Sequence, residues 1–98
     1  MALILGVSTG SVIYIGDTPV EVTEAVPNSS SMGLAVHGGG KFVISDKEST
    51  EILPKVFFSV GRSRNQGRGG EKIIPRVVIE APREVVVLRA ELYERQNA

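Results

Sequence analysis

The residues best equipped for chemistry are seven arginines, Arg62, Arg64, Arg68, Arg76, Arg83, Arg89 and Arg95, and all of them lie beyond Gly61. A guanidinium is a permanently charged, planar fork of donors that matches phosphate oxygens or the acceptor edge of guanine, where lysine offers only a point charge. The chain as a whole is neutral, with 11 basic and 11 acidic side chains, yet the signs are segregated. Met1 to Pro54 holds six acids (Asp17, Glu21, Glu24, Asp46, Glu48, Glu51) against Lys41 and Lys47, a balance of −4, and the remainder carries +4. This points to an anionic partner for the second half, the plain alternative being a solvated charged face.

Other chemical constellations fail on spacing. Gly6-Val7-Ser8-Thr9-Gly10 spells the Gly-x-Ser-x-Gly of a nucleophile elbow, and His37-Gly38-Gly39-Gly40 spells a hydrolase oxyanion loop. An α/β-hydrolase places the oxyanion loop before the nucleophile and a separate histidine after it. Here the order is reversed and His37 is the only histidine. Gly38-Gly39-Gly40-Lys41 lacks both the leading glycine of a phosphate loop and its hydroxyl residue, Phe42 standing in that place. One histidine and no cysteine leave only scattered carboxylates for a metal. The expectation is a binding protein, not an enzyme, with no cofactor.

The elements that must carry the arginines read as strands. β-branched residues are abundant, the apolar period is short, and helical spacing is scarce. Apolar runs at Ala2–Val7 and Ser11–Ile15, separated by Ser8-Thr9-Gly10, are expected to form a hairpin, and Gly16-Asp17 is a strong turn signal. A third strand is expected from Val20 to Val26, with Val20, Val22 and Glu24 facing opposite to Glu21, Thr23 and Ala25. At the far end, Ile73–Ile79 and Glu84–Arg89 read as strands around a corner at Glu80-Ala81-Pro82-Arg83, followed by a short helix from Ala90 to Arg95 whose Leu92 and Tyr93 can pack back on the sheet.

Residues 27–72 have a different texture and read as an insert in a single domain spanning 1–98. Gly33–His37, Lys41–Ser45 and Lys55–Gly61 are each candidate strands, the first two joined by Gly38-Gly39-Gly40. Arg62 to Gly70 contains no apolar residue to repay its ordering entropy, so a mobile basic loop is expected there.

Size argues for pairing. A chain of 98 residues has little material for a private core, and without cysteine it has no disulfide or thiolate staple, which favours a homodimer. The missing cysteines and the start Met1-Ala2-Leu3-Ile4-Leu5, which lacks a basic head and a long apolar stretch, suit the cytoplasm. No apolar run approaches the roughly 18 residues needed to span a bilayer.

Two stretches together resemble the CsrA/RsmA (carbon storage regulator) family of bacterial translational regulators. Leu3-Ile4-Leu5 through Val12-Ile13-Tyr14-Ile15-Gly16-Asp17 is similar to its opening, including the Ile-Gly-Asp turn, and Arg76 through Tyr93 is similar to its last two strands and the start of its helix. The matching pieces cover about half of the chain, and the corner Ala81-Pro82-Arg83-Glu84-Val85 followed by Arg89 and Leu92-Tyr93 is their most specific part. The resemblance implies a five-stranded all-β core in an interleaved, strand-swapped homodimer. It also implies two equivalent sites for GGA-containing RNA, where one chain's first strand meets the other's last. The partner RNA is an mRNA leader or a regulatory small RNA, and the outcome is modulated translation initiation.

On matching positions, the resemblance makes Arg89 the main RNA contact, with Leu5, Ala81, Pro82, Val85, Val87 and Leu88 on the same surface and Arg76 and Arg83 as further basic positions. An ion pair of Arg89 with Glu84 or Glu91 is the alternative. The family's basic pair at the end of the first strand is replaced by Val7-Ser8, and its histidine before the main arginine by Leu88. Losing two charge-assisted contacts costs on the order of 3 kcal/mol per site. Arg62, Arg64 and Arg68 are therefore candidate auxiliary RNA contacts. The competing reading is a diverged interaction protein with weakened RNA binding, acting through heterodimers with a family member.

Overall fold

The computed structural model describes residues 2–66 and 72–90. Among these the chain forms nine strands and no helical element: β1 (Ala2–Gly6), β2 (Val12–Ile15), β3 (Thr18–Ala25), β4 (Ser31–Val36), β5 (Gly40–Ser45), β6 (Thr50–Leu53), β7 (Val56–Gln66), β8 (Lys72–Glu80) and β9 (Val87–Arg89). The all-β expectation is met. No helix among the described residues is long and apolar enough to cross a membrane.

The strands form two antiparallel sheets, ordered β1-β8-β7-β6 and β5-β4-β3-β2-β9. Alternation with period two gives each sheet one apolar face. In the five-stranded sheet Ile13, Ile15, Val20, Val22, Met32, Leu34, Val36 and Ile44 are buried, and in the four-stranded sheet Ile52, Val56, Phe58, Val60, Val77 and Ile79 are buried. These form a single cluster, and no polar side chain is buried among the described residues. In β3 the expected phase holds for Val20 and Val22 and then breaks. A bulge between Val22 and Glu24 turns Glu24 out to solvent and lets Ala25 pack on the core.

β1 and β2 do not form the expected hairpin. β1 pairs with β8 (Leu3 opposite Ile79, Leu5 opposite Val77), whereas β2 pairs with β3 and β9. Residues 7–11 carry the chain from one layer to the other. Val7 is buried at the seam and its N–H donates to Pro75 O at 2.9 Å, while the Gly10 N–H donates to Val22 O at 2.7 Å from a left-handed turn (φ 94°). Each strand thus satisfies its backbone with a neighbour on its own layer, and both can turn their apolar sides to one core.

The insert region is continuous with both sheets. β4 and β5 extend the sheet of β3, joined through the Gly38-Gly39 turn as expected, and β6 and β7 extend the sheet of β8. The five strands that flank this region are accordingly divided, β1 and β8 in one layer, β2, β3 and β9 in the other. β6 was not expected. It is four residues long with only Ile52 buried, too short a pattern for periodicity to reveal.

Arg62 to Gln66 is strand, not loop: β7 runs on through an irregularity after Gly61, pairing Arg64 with Ile74 and Gln66 with Lys72. Main-chain bonding to β8 orders this polar stretch. Gly67 to Gly70, with Arg68, falls outside the described residues, as does the expected helix beyond Ala90 with Leu92 and Tyr93. The last strand is also shorter than expected, because Val85 N–H turns back to Pro82 O (3.0 Å) and pairing with β2 begins only at Val87.

Candidate nucleic-acid interface

β1 and β9 are the edge strands of the two sheets, and they lie on the same side of the sandwich. Their outer edges have no strand neighbour among the described residues, so two rows of main-chain donors and acceptors flank one opening. The register of β9 decides which side chains face into it. Val87 lies opposite Ile15 and Arg89 opposite Ile13, both inward-facing residues, so Arg89 is on the side of β9 that looks toward β1. Leu88 lies opposite Tyr14 and is on the other face of the sheet.

At the Arg89 end of the opening, a narrow cleft of about 70 Å³ is lined by Leu5, Gly6 and Val7 from the β1 side, Ser11 to Ile13 from β2, and the exposed Arg89. Toward the other end, a cleft of about 260 Å³ is lined by Leu3 and Ile79 together with Ala81, Pro82, Arg83 and the segment Val85–Val87. The corner is held by the Val85-to-Pro82 bond and by Gly16 N–H donating to Val86 O at 2.7 Å, which ties the approach to β9 onto the β2–β3 turn. Gly16 adopts φ 61°, a conformation costly for other residues.

Seven of the expected contacts, Leu5, Ala81, Pro82, Arg83, Val85, Val87 and Arg89, therefore line these two clefts. Leu88 does not, for the reason of register. Arg76 does not either: it follows the buried Pro75 and precedes the buried Val77, so it faces away from the core, and its Nε donates to Arg62 O at 2.8 Å. Arg76 thus belongs with Arg62 on the β7–β8 hairpin. On the β7 side of that hairpin a third concavity, of about 360 Å³, is lined by Asn28, Ser29, Ser30, Asp46, Arg62 and Ser63, along with Val60 and Gly61, but not by Arg76. Asn28 N–H donates to Ser63 Oγ at 2.8 Å, which anchors the β3–β4 turn to β7.

Val7 and Ser8, expected to leave a gap in the phosphate contacts, have structural work here. Val7 is 5% exposed and part of the core, and Ser8 N–H donates to Ser11 Oγ at 3.0 Å. The hydrolase look-alikes are not brought together. The Ser8-Thr9-Gly10 loop meets β3 at its Ala25 end through Thr9 Oγ1 (3.1 Å), and His37 meets it at the opposite end, donating from its N–H to Pro19 O at 3.0 Å. No group of three or more His, Cys, Asp or Glu suited to a metal occurs among the described residues.

Gly6, Ser11 and Val12 line the Arg89 cleft without having been anticipated. Their signal was the connection Val7 to Ser11, which, once it is known to cross between layers, must pass the opening. In chemical terms, the β1–β9 opening offers main-chain polar groups, an apolar floor and two exposed guanidiniums, Arg89 at one end and Arg83 at the other, an arrangement suited to an unpaired base next to a phosphate. In comparisons with known proteins, no family model matched the chain, and neither a curated protein nor a solved structure matched it significantly.

Proposed function

We propose that this chain is an mRNA-binding post-transcriptional regulator that takes GGA-type RNA, single-stranded or in a hairpin loop, at the β1–β9 opening and modulates translation initiation. The observation that carries the reading is Arg89 in one cleft with Leu5, residues from opposite ends of the chain and both matched to the family's RNA surface. A duplex hides its base edges, whereas an unpaired loop presents them to strand edges and to a guanidinium fork. Arg62, with Arg64 and Arg68 near it in sequence, adds phosphate contacts. No cofactor or catalytic step is required, and the activity belongs in the cytoplasm, where leaders and regulatory small RNAs are found.

The test is titration of a GGA-loop hairpin against the same stem with a scrambled loop. Arg89→Ala is expected to weaken GGA binding by roughly five- to 150-fold, since a bidentate guanine contact contributes about 1–3 kcal/mol. Equal affinity of the unaltered chain for both loops would end the proposal.

A second reading is favoured by Val7 and Ser8. With no basic pair at the end of β1, the same fold serves as a weakly binding interaction protein that forms heterodimers with a family member. Its signature is co-purification with such a partner and a loss of RNA binding in the mixture. The β1–β9 edge serves either in the interleaved homodimer that the resemblance implies or within one chain.

A further inference from the structure

We infer that one chain builds one whole site by itself: β1 and β9 of the same polypeptide form the opening, and the region 27–72 replaces the second subunit. The ligand named here rests on the RNA-binding reading, but the number of chains per site does not.

Three observations converge. Both strands that border the opening are paired within the chain, β1 with β8 over Ala2 to Gly6 and β9 with β2 over Val87 to Arg89. The core they close is supplied largely by the region that a compact member of the family would lack. Of the fifteen buried apolar residues described, eight (Met32, Leu34, Val36, Ile44, Ile52, Val56, Phe58, Val60) come from 27–72, including the fully buried Phe58. Finally, the radius of gyration of 13.1 Å is that of a closed domain of this length, about 13 Å for 100 residues.

The physical reason is competition between an internal and an external partner. β1 is tethered to the rest of its sandwich by residues 7–11 and β9 by residues 81–86. A short tether presents its strand at an effective concentration in the millimolar range, above the micromolar supply of a second copy. Exchange wins only when the tether is strained or when the single chain has no interior to close upon. Here Gly10 relaxes the first tether, and β4 to β7 supply the interior. The functional consequence is one RNA segment per chain, so that a chain cannot by itself hold two GGA elements of one leader.

The absence of cysteine makes a clean trap feasible. Ile4 and Val78 lie directly opposite each other on the outward face of β1 and β8, Ile4 being 52% exposed, and Tyr14 and Leu88 do the same on β2 and β9. Directly opposed antiparallel residues have Cα atoms about 4.5–5.5 Å apart, inside the window for a disulfide. Ile4→Cys/Val78→Cys and, separately, Tyr14→Cys/Leu88→Cys are oxidised and run on a denaturing gel, and the unaltered chain is weighed by light scattering with and without a GGA-loop hairpin.

The expected results are single-chain bridged species at every protein concentration, a mass of 10.5 kDa for the free protein, and one hairpin per chain. Covalent dimers as the main oxidised product, or twice the single-chain mass in solution, overturn the inference. So does failure of both cysteine pairs to bridge, because the strand neighbours would then be wrong. If the hairpin does not bind while the bridges form within one chain, the RNA reading fails and the single-chain sandwich stands.

Discussion

Arg89 and Val7 show how much a single position decides in this fold. Arg89 is exposed yet on the inward-looking side of its strand, so it can reach a ligand held against β1 without leaving its sheet. Val7 is buried at the seam between the layers, so its apolar character is a packing requirement. Val7→Lys is expected to lower unfolding stability in urea by several kcal/mol, since a buried, unpaired charge is among the costliest changes a core can suffer. Ser8→Arg, one residue on and exposed, is expected to leave stability within about 0.5 kcal/mol. It should tighten RNA binding and steepen its salt dependence by about one phosphate contact. A titration across salt concentrations checks this, and an unchanged slope would place Ser8 away from the RNA path.

At the level of elements, alternation made most strands legible before any coordinates. β1, β2, β3, β4, β5 and β8 lie close to where the apolar period and the turns at Gly16-Asp17 and Gly38-Gly39 put them. What alternation did not reveal were features set by a neighbour: the bulge in β3, the short β6, and the polar end of β7, ordered by its pairing with β8. The bulge depends on a close approach, because a Cβ on Gly33 would lie 2.6 Å from Thr23 Oγ1. Gly33→Ala is expected to cost about 1–3 kcal/mol, the usual range for overpacking. Thr23→Ala in the same chain should recover part of that loss, and a double-mutant cycle in urea measures the coupling. Purely additive effects would mean that the two residues do not meet.

For the whole molecule, the described core is shared almost evenly between residues 27–72 and the rest of the chain. Excision of residues 27–72, joining Val26 to Ile73, removes eight of the fifteen buried apolar residues described. The shortened chain is expected to have no folded monomer, so that its thermal melting becomes concentration dependent or vanishes. A concentration-independent melt near that of the full chain would show that the excised strands are dispensable. The amino-acid sequence by itself determined the β class, most strand positions and the charge asymmetry, because side-chain period, turn chemistry and charge are local properties. Only the tertiary structure decided that β1 and β2 part into different layers, that Arg76 leaves the candidate site while Arg89 enters it, and that 27–72 completes both sheets. Those are matters of which strand satisfies which backbone edge, and several strands of similar alternation offer equivalent edges until the shared core selects among them.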